Sequence, residues 1–261
     1  MITDTAQRVV SDKNALRSHF GTAAARYNRF SAIQQVTANH LIQLVPVPAS
    51  AESKAGSRVL LDLGCGTGST MQKLYRDYDG HCIGLDLAHR MLQSVPRYEQ
   101  GPCSLLQADM QQLPVGTDII DLLVSNAACQ WTAPIPVVNE IARVLKPGAY
   151  AVLSMFVAGS LAELTQSPTL YERIRELPSE QDWFEAIAAA GLELQHQEVI
   201  VHSQQFDDKK ALFDSIRGVG ASISPIRHRY LGKKGYKSIF NGIQNELSWR
   251  TLYLVLRADT L

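Results

Sequence analysis

The chain has 261 residues, 46% of them hydrophobic, and its 25 basic and 25 acidic residues cancel to zero formal charge. That length suits one large α/β domain with additions, and a neutral chain has no global field to draw in a nucleic acid or an anionic membrane. Cys65, Cys82, Cys103 and Cys129 are scattered, with no C-x-x-C pair and no His at ligand spacing, which argues against a metal site or a disulfide framework and for reduced, buried thiols.

The N-terminus lacks an apolar core of signal length, and no apolar run approaches membrane-spanning length, so a cytoplasmic protein without a membrane contact is expected. From 14 to 45 apolar residues recur at three- and four-residue steps, among them Leu16, Phe20, Tyr27, Ile33 and Leu41, which predicts two helices ahead of the first strand. A Pro-, Ser- and Ala-rich connector, 46–57, ends this unit. A strand-then-helix rhythm follows, with strands expected at 58–63, 81–86, 103–107, 119–125 and 149–155 and amphipathic stretches near 68–77, 88–95 and 134–145. The continuous apolar run from Ile119 to Val124, broken only by Asp121, is what a parallel strand covered on both faces requires. Lys146-Pro147-Gly148 reads as a helix stop feeding the fifth strand. A helix over 180–190 ends at Gly191, and two strands remain, 192–201 and 250–257.

The expected fold is therefore α/β, a doubly wound, mostly parallel seven-stranded sheet, in a single domain over 1–261. The span 203–248 is too long for a hairpin and reads as a helical insertion before the last strand; with the helices of 14–45 it is expected to form a substrate lid.

The chemistry concentrates where the first strand ends. Val59 to Gly68 reads as a buried strand entering a glycine turn, with glycines at alternate positions, Gly64, Gly66 and Gly68, and no Lys-Ser or Lys-Thr behind them. Such a turn lets backbone N–H groups approach a ligand closely without building a triphosphate cradle. Asp86, at the end of the second strand, can accept from both ribose hydroxyls of a nucleoside. Asp109-Met110, after the third strand, offers an acid for an adenine amino group and an apolar cover for the ring. The dinucleotide fingerprint spaces its glycines G-x-G-x-x-G, whereas this chain has Asp62-x-Gly64-x-Gly66-x-Gly68, a spacing that favours a methyl donor.

Together with Leu145-Lys146-Pro147-Gly148, these residues resemble the class I S-adenosylmethionine-dependent methyltransferases over 58–155. The resemblance implies a Rossmann-like fold. It further implies S-adenosyl-L-methionine held by Asp62, Gly64, Cys65, Gly66, Gly68, Asp86, Leu87, Met91, Asp109, Met110 and Asn126, with S-adenosyl-L-homocysteine as the product.

For the acceptor, Ser125 to Trp131 lacks the Asp/Asn-Pro-Pro-aromatic string of nucleobase amino-methylating enzymes. Ser125-Asn126-x-Ala128-x-Gln130-Trp131, the segment from Ala158 to Leu164, Ile216 to Ala221, and Phe20 with Ala23 to Tyr27 resemble instead the malonyl-acyl-carrier-protein O-methyltransferases of biotin synthesis. That resemblance implies methylation of the free malonyl carboxylate. A carboxylate is ionised near pH 7 and needs no general base, so no catalytic acid–base residue is expected. Arg217, then Arg227, are candidates to grip the carboxylate with a two-pronged guanidinium, and Tyr27 and Trp131 to line the acceptor pocket. Between 209 and 237 eight basic residues face the single acid Asp214, an excess of seven. This segment is the expected docking surface for an acidic carrier protein, although a basic patch also suits RNA. The cofactor residues alone fit two further readings: a methyltransferase for a quinone precursor or a free carboxylic acid, and a noncatalytic cofactor- or RNA-binding domain.

Overall fold

The computed structural model describes residues 13–46, 58–76, 78–96, 103–166, 176–219 and 244–260. Among them seven strands form one sheet in the order β3-β2-β1-β4-β5-β7-β6. These are β1 (Arg58–Leu63), β2 (Gly80–Asp86), β3 (Cys103–Gln107), β4 (Ile120–Asn126), β5 (Leu145–Phe156), β6 (Glu193–Gln205) and β7 (Glu246–Arg257). Strands β1 to β5 pair in parallel, while β7 inserts antiparallel between β5 and β6.

Strand alternation sends successive side chains to opposite faces, and both faces here are apolar. Leu61, Leu63, Leu123, Ala151, Leu153 and Leu254 belong to one core cluster. Leu60, Leu122, Val124, Val152 and Tyr253 belong to another. The first is covered by Val137, Val138, Ile141 and Val144 of one helix (Pro134–Val144) and by Trp183 and Ile187 of a second (Glu180–Ala189). The second is covered by Leu41, from a helix over Ala32–Gln43, and by Met71 and Tyr75, from a helix over Ser69–Tyr75. Ser179 opens the helix of Trp183 with a capping box: its hydroxyl accepts from the Asp182 N–H, and the Asp182 carboxylate accepts from the Ser179 N–H at 2.7 Å.

The N-terminal region is more broken than its periodicity predicts. A helix over Lys13–Ala23 gives way to a 3-10 turn at Ala24–Arg26, a single helical turn at Tyr27–Phe30, and then the long helix Ala32–Gln43. The helix Pro134–Val144 stops where expected, but the strand that follows begins at Leu145, ahead of the expected 149, with a register irregularity against β4 between Ile120 and Leu122. Gly148, at φ 77°, supplies the bend. The last two strands are longer than expected: β6 runs on to Gln205 and β7 begins at Glu246. Cross-strand pairing, which has no local sequence signature, extends both. Of the expected insertion 203–248, the described residues include the ends of β6 and β7 and one helix, Lys209–Gly218.

That helix and the N-terminal helices meet over the carboxyl ends of β4 and β5. A Cβ built on Gly218 would lie 2.2 Å from Phe30 Cγ, so the two elements pack at glycine-only separation. Gly218→Ala forces this contact apart, and overpacking of this kind costs about 1–3 kcal/mol. The expected outcome is a melting temperature lowered by several degrees, read by calorimetry, with the far-ultraviolet circular dichroism of the native state retained.

Candidate active site

The chain runs from β1 outward to β2 and β3, then crosses back to β4 on the other side of β1. Such a reversal of strand order leaves a crevice at the carboxyl edge, and here the loop after β1 and the loop after β4 form its two walls.

The glycine turn is built by hydrogen bonds to its backbone. Gly64, Gly66 and Gly68 all have positive φ, at 75°, 54° and 81°, a region that residues with a Cβ avoid. The Gly64 and Cys65 N–H groups donate to the Leu85 carbonyl at 2.7 and 2.9 Å, which ties the turn to the end of β2. The Gly66 N–H donates to Asp86 Oδ2 at 2.9 Å and the Ala88 N–H donates to Asp86 Oδ1 at 2.7 Å. A Cβ on Gly64 would collide with Ala128 Cβ at 2.4 Å, whereas one on Gly66 would meet nothing within 4 Å. Gly66 therefore faces open space, and Gly64 is where the β1 and β4 loops close on each other.

Asp62 lies behind this turn. It is 1% exposed, and its carboxylate accepts from the Met71 N–H at 3.1 Å, inside the first turn of the helix that follows the glycines. Burial is the main cause that raises the Asp62 carboxyl to about 7; the Met71 hydrogen bond opposes the shift and the nearby Asp86 charge adds to it. Asp86 is raised as well, by burial, against the Ala88 and Gly66 hydrogen bonds.

Two cavities open on this edge. The first, about 730 Å³ including its mouth, is lined by Gly64, Gly66, Asp86, Leu87, Met91, Asp109, Met110 and Asn126, with Tyr27 and Trp131. Of the expected cofactor residues, Asp62, Cys65 and Gly68 do not line it. Strand alternation puts Asp62 under the following helix, Cys65 Sγ packs toward the space beside Gly84, and Gly68 is that helix's N-cap. These three residues shape the turn from behind. Asp86, with two of its carboxylate lone pairs taken by backbone N–H groups, keeps capacity for two more donors.

Asp109 Oδ1 accepts from the Gln111 N–H at 2.9 Å, and Oδ2 is ion-paired with Lys13. Lys13, which sequence reasoning passed over, lines the same cavity from the N-terminal helix. The Asn126 carboxamide oxygen accepts from Thr37 and Ser154 hydroxyls at 2.8 and 2.7 Å, and its Nδ2 donates to the Gln34 carbonyl at 3.0 Å. Asn126 thereby ties the end of β4 to the helix Ala32–Gln43. Thr67 makes a second tie, donating to Asn28 Oδ1 at 2.6 Å.

The second cavity, about 930 Å³ including its mouth, shares Phe20, Tyr27, Ala127 and Trp131 with the first and is lined mainly by Phe30, Ile33, Phe156, Leu161, Ile216 and Trp249. Trp131 and Phe20 meet edge to face with ring centroids 5.5 Å apart. Ala127 and Leu161 have φ of 50° and 59°, a left-handed backbone rarely found outside glycine. Tyr27 is the sole readily titratable side chain among the described lining residues. Burial first, and the Asp86 charge second, push its phenol well above the ordinary value, so it stays protonated and can donate. Most of these lining residues carry no sequence signal of a site, because an apolar side chain facing a cavity and one facing a neighbour give the same sequence pattern.

The side chain of Arg217 and the whole of Arg227 lie outside the described residues, as do Arg229, Lys233, Lys234 and Lys237 of the basic run. Within the described part of that run, Lys210 pairs with Asp214 at 2.5 Å. Among the described residues there is no group of three or more His, Cys, Asp or Glu able to hold a metal ion, and no helix is long and apolar enough to cross a membrane.

Comparison with known proteins bears on this geometry. Residues 61–153 match the model of a methyltransferase domain family. The malonyl-acyl-carrier-protein O-methyltransferase of Herminiimonas arsenicoxydans is 34% identical over 217 residues, covering 81% of this chain and 79% of that protein. The protein of the same name from Alcanivorax borkumensis is 29% identical over 94% of this chain and 86% of its own length. Among solved structures, YcgJ from Bacillus subtilis superimposes with a TM-score of 0.63 at 18% identity, covering 86% of this chain and 99% of that one. A geranyl diphosphate C-methyltransferase from Streptomyces coelicolor, solved with S-adenosyl-L-homocysteine, Mg²⁺ and geranyl diphosphate, gives a TM-score of 0.53 at 14% identity over 85% of this chain and 78% of that one. These structural likenesses establish the fold.

The raised Asp62 carboxyl makes stability depend on pH. Its folded value, about 7, lies above the ordinary 3.8, so the folded state holds the proton more tightly. Stability is then fully present below about pH 4 and is lost as pH rises toward 7. Each pH unit of that window is worth at most about 1.4 kcal/mol. Asp62→Asn, which keeps an acceptor for the Met71 N–H, is expected to gain stability relative to the parent between pH 5 and 8. Urea midpoints measured across that range check it; parallel curves for the two proteins would refute the assignment.

Proposed function

The chain belongs to the malonyl-acyl-carrier-protein O-methyltransferase family, and from that membership we propose that it transfers a methyl group from S-adenosylmethionine to the free carboxylate of a malonyl thioester carried on an acyl carrier protein. The observation that carries this reading is the pair of cavities sharing one wall: one built from a glycine turn and two carboxylates, the other apolar and without a described acid, base or metal cluster. A nucleoside-bearing donor suits the first, and a substrate that brings its own ionised nucleophile suits the second.

The first cavity fits the donor on its own chemistry. Gly66 leaves room for close backbone approach, Asp86 retains acceptor capacity for a ribose diol, and Leu87, Met91 and Met110 offer apolar cover to an adenine ring. Asp109 is poised to accept from the adenine amino group, in competition with Lys13. S-adenosylmethionine, when bound, supplies a methyl group on a positively charged sulfur, which any well-aligned anion can attack.

The remaining work is positioning. The malonyl carboxylate is already ionised near pH 7, so no side chain has to remove a proton. The aromatic walls exclude water from the acceptor oxygen, and alignment of two bound reactants supplies much of the rate. Tyr27, which lines both cavities and keeps its phenol protonated, is the proposed hydrogen-bond donor to the carboxylate. The helices of 14–45 and the insertion 203–248 act together as a lid; the contact between Phe30 and Gly218 supports this. The basic run of 209–237, with Arg217 and Arg227 as carboxylate grips, remains the proposed docking face for an acidic carrier protein.

The test offers purified protein methyl-labelled S-adenosylmethionine with malonyl-carrier protein, malonyl-CoA or free malonate. Label is expected as a base-labile methyl ester on the malonyl-carrier protein; equal labelling of free malonate would sink the carrier reading. In the same assay Tyr27→Phe is expected to lower kcat/KM about tenfold, the loss of one hydrogen bond to a charged group. The dissociation constant for S-adenosylhomocysteine, measured by calorimetry, should stay within about twofold in that variant.

A further inference from the structure

Resting on the methyl-transfer reading, we propose that the apolar cavity holds an amide-bearing thioester arm of the acceptor, and that the Gln130 carboxamide oxygen is the positioning residue that receives an amide N–H from it, with Gln34 as a second acceptor beside it. Gln130 is 1% exposed and lines this cavity. Its Nε2 donates to the Ala127 carbonyl at 2.8 Å, and its Oε1 has no hydrogen-bond partner. Turning the amide over would set Oε1 against the Ala127 carbonyl, two acceptors face to face, so the oxygen is fixed as the unpaired atom.

The surrounding backbone holds it there. Gln130 sits in the middle of a 3-10 turn over Cys129–Trp131, with the Trp131 N–H donating to the Ala128 carbonyl at 3.1 Å and the Thr132 hydroxyl to the Cys129 carbonyl at 2.8 Å. Gln34 lines the same cavity and its Oε1 also has no partner. Its main-chain carbonyl is pinned by Asn126 Nδ2 at 3.0 Å.

A buried amide oxygen without a donor is costly, and native interiors rarely leave one unless a ligand or water completes it. The completing group must carry an N–H or O–H. An ionised malonyl carboxylate has no donor, and neither does a thioester. The pantetheine-type arm that presents acyl thioesters, whether on a carrier protein or in coenzyme A, carries two secondary amides separated by methylenes, and so brings two N–H donors. Two unpaired carboxamide oxygens among aromatic and aliphatic walls match that pattern. Free malonate, which has no N–H, does not supply those donors.

The experiment compares two short malonyl thioesters that differ at one atom, the N-acetylcysteamine thioester and its oxygen ester isostere, S-(2-acetoxyethyl), which lacks the N–H. Wild-type protein is expected to favour the amide by about tenfold or more in kcat/KM, because a site built around a hydrogen bond rejects the analogue that cannot make it. In Gln130→Leu that preference is expected to fall to within about twofold, with the dissociation constant for S-adenosylhomocysteine unchanged. Malonyl-carrier protein and malonyl-CoA, assayed alongside, should both outrun the ester thioester, and the faster of the two identifies which source presents the arm. Equal use of the amide and ester thioesters by wild type would overturn the inference while leaving methyl transfer intact, and this comparison holds even if Gln130→Leu fails to fold. A Gln130→Leu protein that keeps the full amide preference would overturn the assignment to Gln130. Failure to methylate any malonyl thioester, carrier-bound included, would remove the underlying reading itself.

Discussion

Two buried carboxylates hold the glycine turn in shape, and the rest of the site depends on them. Asp62 accepts from the first turn of the helix behind the loop and Asp86 accepts from the Gly66 N–H at its crest. Positive φ at Gly64, Gly66 and Gly68 takes their N–H groups off any regular ladder; Gly64 and Gly68 find carbonyl acceptors, and Gly66 at the crest takes the stronger carboxylate acceptor of Asp86. Burial, which penalises the charged form, is the main reason both acids are raised above their ordinary range, and the Asp86 charge adds to the shift of Asp62. A positively charged ligand in the adjoining cavity would favour the ionised form of each.

The second cavity is held by a different device. The N-terminal helices carry Phe20, Tyr27, Ile33 and Gln34 into the two cavities. They are anchored by polar side chains at the ends of the sheet: Asn126 to Thr37 and Gln34, and Thr67 to Asn28. Neutral hydrogen bonds of this kind are individually modest. Such a cover can therefore be fastened without being locked, as entry of a substrate requires. The Phe20 and Trp131 rings stand in the wall that the two cavities share, and the helix over Lys209–Gly218 contributes Ile216 to the apolar chamber, with Leu212 and Phe213 packed behind it against Phe156 and Trp249.

Much of this was legible in the residues taken in order. The strand running into Gly64, Gly66 and Gly68 announced its turn because glycine adopts that backbone far more readily than other residues, and Asp86 and Asp109 fell at the carboxyl ends of strands, where a doubly wound sheet binds ligands. Other residues resisted such reading. Asp62 belongs to the same motif as the glycines, yet its side chain shares a face with Leu60 and serves the helix above it. Ala127 and Leu161 adopt left-handed backbone with no residue type to signal it, and Gln34 lies some ninety positions from the Asn126 side chain that fixes it.

Local pattern, then, determined the fold class, the glycine turn and the methyl-donor chemistry, because strand periodicity, glycine backbone freedom and the spacing of acids at strand ends are properties of neighbouring residues. Tertiary structure alone decided which of those residues face the ligand and which brace the loop, how the N-terminal helices and the insertion meet over the sheet, and that two carboxamide oxygens are left unpaired in an apolar chamber. Those are outcomes of packing between segments far apart in the chain, where the partner of each side chain is set by the whole fold.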